Sequence, residues 1–256
     1  MKYINQLIIM LSIYLLLTIL FTTVSSTNNI ELSDNNFASL RGQINLITNN
    51  NVIKRLMEIS PHNNKLYIFI HSEGGDVLAG LQLMNYMKTL QLQGKEINCI
   101  SSTAISMAFV IMQQCTKRYV LPYSILMQHQ MSLNNGISGE LHKINSQTAH
   151  INSIENELNT LQADRIGISV EEFTKLILNE WWLTSTESIK NNIADEIVSF
   201  TCNFPFQIET INNLEYSKCP IIATPLNKIH EVEVNGEMNN KNKKNILFPN
   251  TINFKF

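Results

Sequence analysis

Three short stretches hold the side chains best suited to chemistry. In "SSTAISMAF", residues 101–109, Ser106 stands alone among small and apolar neighbours at the junction of a predicted strand and a predicted helix. A serine there is ordinarily a helix N-cap, whose hydroxyl accepts from the backbone two or three residues on. A nucleophilic serine needs two further things: a base within hydrogen-bond reach and donors for the oxyanion that develops when a carbonyl is attacked. The sequence offers a candidate for each. His129 in "LMQHQM" directly follows an apolar strand, and imidazole takes up a proton near neutral pH. Gly74 and Gly75 in "HSEGGDVLAG" follow another apolar strand and precede a helix. Two glycines there permit a tight turn with outward-facing N–H groups, suited to a carbonyl or an anion. Each feature also has an ordinary reading, as a cap, a satisfied pocket histidine and a strand-to-helix turn.

The other histidines are weaker candidates. His142 and His150 fall on a long helical stretch and His62 and His230 in polar loops, where solvated side chains are the default; His71 closes a strand in a structural position. The glycine spacing matches neither a dinucleotide fingerprint nor a Walker loop.

The elements that must position these groups follow from hydrophobic period. "FASLRGQINL" alternates, "NVIKRLMEI" has helical spacing and "KLYIFI" is a buried strand. A helix from about Val77 to Leu90, a strand "INCIS", a helix from about Ser106 to Gln114 and two strands, "RYVL" and "SILMQ", come next. Strands alternating with helices predict a layered α/β domain. A long amphipathic helix follows, with Leu141, Ile144, Ile151, Ile154, Leu158 and Leu161 in phase. Ser169 with Glu172, and Thr184 with Glu187, have the spacing of capping boxes and predict two short helices.

The 256 residues, 44% apolar, allow one full-sized domain with extensions. A net charge of −2 with 16% charged residues gives no basic stripe, so nucleic acid is not an expected partner. Leu7–Val24 is an uncharged apolar run behind Lys2, which predicts a signal peptide or a transmembrane anchor over residues 1–26 and hence a membrane-associated or secretory-lumen location. Polar residues 27–36 read as a linker, residues 37–200 as the domain, and residues 201–256 as an irregular extension with "ILFPNTINFKF" as a candidate final strand. The four cysteines lack zinc-site spacing, so no metal is expected. Cys99 and Cys115 read as small buried hydrophobes, whereas Cys202 and Cys219 flank a polar loop and can pair in an oxidising compartment.

In order and spacing these stretches resemble the Clp protease proteolytic subunit family, within the wider ClpP/crotonase superfamily, from about Phe37 to Val198. "LRGQI" resembles its opening strand, and "LYIFIHSEGGDVLAG" the strand and glycine turn written as Tyr-Ile-Asn-Ser-Pro-Gly-Gly-Ser. "STAISMAF" resembles its nucleophile segment, "LPYSILMQHQ" the segment ending in its catalytic histidine, and "WWLTSTESIKNNIADEIV" its closing segment, with Asp195 on a family aspartate. The resemblance implies a ClpP/crotonase-like layered fold of repeated β-β-α units with a long handle helix. It implies a cofactor-free serine endopeptidase in which Ser106 is the nucleophile, His129 the base, and the amides of Gly75 and Met107 the oxyanion hole.

The family's third triad member is an aspartate in Asp-Arg-Phe-Leu, where this chain reads "EWWL", so Glu180 takes that place. A glutamate can orient the histidine, as in other serine hydrolases. Glu73 replaces a proline, Ala108 a glycine beside the nucleophile, and Asn192 a glycine at a helix end, where Asn tolerates the left-handed conformation. Trp182 matches an aromatic and is expected in the core; Trp181 is expected at a pocket or subunit contact.

Implied partners are peptide or unfolded protein, copies of the chain in a homo-oligomeric ring joined through the handle helix, and an AAA+ unfoldase. Against the last stands the axial segment that engages it, which the membrane-targeting run replaces. Two alternatives remain at this stage: a catalytically inactive ring subunit, suggested by the lost aspartate, and a crotonase-like acyl-CoA enzyme, which would not need the serine and histidine together.

Overall fold

The computed structural model describes residues 28–133, 136–205, 207–211 and 214–221. They fall into two units divided after Pro205. The expected targeting segment and the candidate final strand lie outside the described residues. Among the described residues no helix is long and apolar enough to cross a membrane.

The first unit is built on a sheet of β2 (Phe37–Arg41), β3 (Lys65–Ser72), β4 (Glu96–Ile105), β5 (Lys117–Gln128) and β6 (Trp181–Thr184), in that order, with β7 (Glu196–Ile197) pairing the start of β5. The pairs from β2 to β5 are parallel and β6 is antiparallel to β5. Parallel neighbours require crossovers. These are α1 (Leu46–Ile59), α2 (Val77–Leu92) and α3 (Met107–Gln114). Their buried faces, including Val52, Leu56, Leu83, Met87 and Phe109, share one core with Leu40, Ile68, Ile70 and Leu126 of the sheet. The opposite face is covered at Phe69, whose ring meets Phe200 edge-on, and at Phe37, which stacks on Phe204. Burial on both faces is why "LYIFI" has no polar alternation. The expected layered α/β class is thus realised, with α4 (Leu141–Ile166) as the long helix, followed by α5 (Val170–Ile177) and α6 (Ser185–Lys190).

Several local expectations change. "RYVL" and "SILMQ" form one strand, β5, although its register to β4 jumps from Ser101↔Val120 to Thr103↔Ile125. Ser124 bridges the jump: its Oγ donates to the carbonyl of Ser101 and accepts from the Leu121 N–H. The segment 27–36 is more than a linker, because β1 (Asn29–Leu32) pairs in parallel with β8 (Ser199–Cys202) and buries Ile30 and Leu32. Residues beyond 201 are likewise not wholly irregular: in the second unit β9 (Ile208–Ile211) and β10 (Leu214–Ser217) form an antiparallel hairpin. Cys99 and Cys115 are buried as expected, yet they are bonded to each other rather than free.

Both capping predictions place helix starts. Ser169 accepts from the Glu172 N–H, and Thr184 and Glu187 form a reciprocal capping box. The two tryptophans exchange roles: Trp182 is exposed, while Trp181 packs against the core and meets Phe173 edge-on. A four-residue strand with one covered face buries alternate side chains, and the register of β6 on β5 selects Trp181 and Leu183.

Candidate active site

Ser106 occupies the N-cap position of α3 but does not cap it. Its φ of 56° and ψ of −122° are foreign to a capping residue, and its hydroxyl accepts no backbone hydrogen bond from the helix. A non-glycine residue held there costs about 1–3 kcal/mol and persists only where its surroundings enforce it. Two contacts do so. The Ser106 N–H donates to the Met127 carbonyl at 2.9 Å, tying the turn to β5. On the other side lies Gly74, where a Cβ would come within 2.8 Å of the Ser106 Cβ and 2.6 Å of the Ile105 carbonyl. The turn is thereby forced outward with the hydroxyl at its tip.

The glycine turn is fixed just as specifically. Ser72, 1% exposed, donates through Oγ to the Gly42 carbonyl at 2.6 Å and accepts from the Gly74 N–H at 3.1 Å. The Gly74 carbonyl accepts from Ile44, and the Ile44 carbonyl from Asp76. Gly75 has a φ of 146°, and a Cβ there would run into the Ile44 backbone. Asp76 then caps α2 through the Ala79 N–H at 2.7 Å. This bonding leaves the Gly75 N–H without an acceptor among the described residues, and the Met107 N–H, in the first turn of α3, is equally unbonded. Both residues, with Ser106, line one cleft.

His129 lines the same cleft, one residue beyond β5, and is half-buried. Its N–H donates to the Gln128 side chain at 3.1 Å. No hydrogen bond joins its ring to Ser106 or to Glu180. Glu180 is outside the cleft lining: it is exposed, has a φ of 60°, and its carboxylate accepts from Trp182 Nε1 at 3.1 Å. The β5–β6 pairing ends at Gln128 with Trp181, and His129 and Glu180 each lie one residue beyond that last pair. The structure therefore brings four of the five expected site residues to one cleft and leaves the fifth beside it with its side chain turned away.

The remaining wall belongs to α4, which sequence patterning treats only as a handle. Leu158, Asn159 and Gln162 line the cleft from this helix together with Glu155. Gln128 Nε2 donates to Gln162 Oε1 at 2.5 Å, Gln162 Nε2 to the Leu158 carbonyl at 2.9 Å, and the Met131 N–H to Glu155 at 3.0 Å. These bonds fix the segment after His129 against the helix. Among the described residues no His/Cys/Asp/Glu cluster has the arrangement of a metal site.

Two other polar groups prove structural. Asp195 bonds Arg118 through both oxygens, at 2.6 Å to the guanidinium and 2.7 Å to the backbone N–H, with Arg165 at 3.8 Å. Burial alone would raise its carboxyl, but the Arg118 hydrogen bonds and the two positive charges outweigh that and hold it below the ordinary carboxylate range. His71 Nδ1 lies 2.9 Å from Ser102 Oγ, and burial, followed by the charge of Arg41, depresses its basicity. Asn192 adopts the expected left-handed conformation with φ of 56°.

A serine on a sharp strand-to-helix turn, with two free amides and a histidine around it, has the parts that a hydrolase-type site requires, in an α/β layer fold. A family model for Clp protease matches residues 24–201. The ATP-dependent Clp protease proteolytic subunit of Borrelia garinii subsp. bavariensis is 30% identical over 162 residues, 62% of this chain and 82% of the relative. Proteolytic subunit 2 of Chlamydia trachomatis is 31% identical over 156 residues, 59% and 74% of the two chains, and proteolytic subunit 1 of Rhodopirellula baltica is 24% identical over 170 residues, 65% and 74%. The chain belongs to the Clp protease family.

Proposed function

We propose that the chain is a serine endopeptidase of the ClpP type. The observation that carries this reading is the coincidence, on one cleft, of an uncapping Ser106 on a strained turn with the unbonded amides of Gly75 and Met107 and with His129. Ser106 Oγ attacks the peptide carbonyl, His129 takes its proton and returns it to the leaving amine, and the two amides stabilise the oxyanion. Glu180 orients His129 after its carboxylate rotates away from Trp182; the nearness of both residues to the last β5–β6 pair supports this. Catalytic hydrogen bonds commonly tighten only when substrate is bound.

Copies of the chain assemble into a ring through α4. Supporting this, the first half of α4 is mostly exposed, with Leu141 73% accessible, and the relatives are named as subunits. Their names also include ATP dependence, which supports an unfoldase partner. The apolar Leu7–Val24 run supports delivery to a membrane or secretory lumen. A second reading, an inactive ring subunit, is favoured by one observation, the engagement of Glu180 with Trp182 in place of His129.

Treating the folded full chain with a fluorophosphonate probe, beside Ser106→Ala and Glu180→Ala, separates the readings. The peptidase reading expects labelling of Ser106 that the first variant abolishes and the second slows by at least about tenfold, toward the 10⁴-fold known for triad orienters. Unlabelled, folded wild type would leave the inactive subunit. Undiminished labelling in Glu180→Ala would remove Glu180 from the triad.

A further inference from the structure

The cleft beside Ser106 must receive the side chain of the residue whose carbonyl is attacked, so its lining selects substrate. Its far wall is the helix α4, which contributes polar residues to the lining. Gln128 and Gln162, 4% and 1% exposed, are bonded to each other and to backbone, and so are spent on structure. Asn159, 9% exposed and in the same lining, differs: its carboxamide has no hydrogen-bond partner among the described residues. It is also not sealed in the core, since neither of its polar atoms is among those both buried and unbonded. The amide therefore keeps some exposure on a residue that lines the cleft. A polar group so enclosed and unpaired disfavours an apolar occupant, which would bury it without compensation, and favours one that bonds it.

Resting on the peptidase reading above, we propose that Asn159 is a specificity-determining residue. It selects peptides that carry a carboxamide or hydroxyl side chain, glutamine or asparagine foremost, immediately before the scissile bond. An amide matches Asn159 in both senses, donating to Oδ1 and accepting from Nδ2. The Gln128–Gln162 bond holds this turn of α4 against the end of β5 and so keeps Asn159 near His129. Glu155, whose carboxylate lines the same cleft while holding the Met131 N–H, sets a negative charge against acidic side chains.

The test uses the folded full chain and three peptidyl phosphonate probes identical except for Gln, Leu or Glu at that position, with the rate of Ser106 labelling as readout. The expected order is Gln first, about tenfold faster than its near-isostere Leu, with Glu slowest. Asn159→Leu should bring the Gln to Leu ratio to one or below, the ratio being taken within the variant so that any general change in Ser106 reactivity cancels. A wild type that prefers Leu, or a ratio that Asn159→Leu leaves unchanged, overturns the assignment while the peptidase reading stands. Absence of Ser106-dependent labelling by a simple fluorophosphonate without a peptide overturns the peptidase reading itself, and this inference with it.

Discussion

The strand β5 has opposite chemistry at its two ends. At its start, Arg118 is 2% exposed and its two terminal nitrogens are tied to Asp195, Gln113 and Asn192, while its buried Nε has no partner among the described residues. Just past its end, His129, Ser106, the Gly75 and Met107 amides and Asn159 share a cleft and make no hydrogen bonds to one another. Both ends are polar and both are largely shielded. A largely paired network contributes stability and fixes the packing of β5 on the closing segment. An unsaturated one gives stability away, as stored strain at Ser106 and unmet donors, and keeps those groups ready for a ligand.

The largest expected effect breaks the open end. His129→Ala should slow acylation of Ser106 by about 10³–10⁴-fold, measured by fluorophosphonate labelling. Its unfolding free energy from denaturant melts should stay within about 0.5 kcal/mol of wild type, because the ring has no hydrogen bond among the described residues and is half-exposed. Comparable loss of stability would mean that the open end is structural after all.

Asp195→Ala should do the reverse. Removing one partner leaves Arg118 as an uncompensated buried charge and should destabilise the fold by about 3 kcal/mol in denaturant melts, with the labelling rate at a permissive temperature within a few-fold of wild type. The same pair sets a pH signature. Because the folded carboxyl is held below its ordinary value, its contribution is complete above the unfolded pKa of about 4 and is lost as pH falls through the lower folded value. Thermal melts between pH 5 and 2 should show this loss in wild type and a shallower one in Asp195→Asn.

Ser72→Ala tests the region between the two behaviours. The hydroxyl is buried and bonded like the closed end, yet what it fixes is the Gly74–Gly75 turn of the open end. Both readouts should move: about 1–2 kcal/mol of stability, and an acylation rate lowered by about tenfold through a looser oxyanion hole. A change in stability alone would uncouple Ser72 from the site. Smallest is Thr184→Ala, which removes the capping box of α6 at a residue outside the cleft lining and should cost about 1 kcal/mol without altering labelling.

Much of this contrast was legible in the sequence where the signal is local. Gly74–Gly75 and Ser106 each sit between an apolar strand and a helix, and the βα order brings such turns to one edge of a parallel sheet. The cap at Thr184 is likewise contained within four residues. Other features escaped because they depend on pairing across the chain. Asn159 looks like one more polar residue on an amphipathic helix until α4 is laid against the end of β5. Which tryptophan is buried depends on a one-residue register that composition cannot fix, and the Cys99–Cys115 bond depends on how β4 meets the end of α3.

By itself the sequence determined the layered α/β class and the strand-to-helix placing of Ser106 and the glycine turn with His129 after a strand, because periodicity and turn chemistry act over a few residues, while the order of its motifs carried the resemblance to the family. Only the tertiary structure decided that Ser106 is held off the capping geometry, that the Glu180 carboxylate bonds Trp182, and that Asn159 lines the cleft. Those outcomes are set by strand register and by the packing of α4, which are sums over distant contacts and leave no local trace in the order of residues.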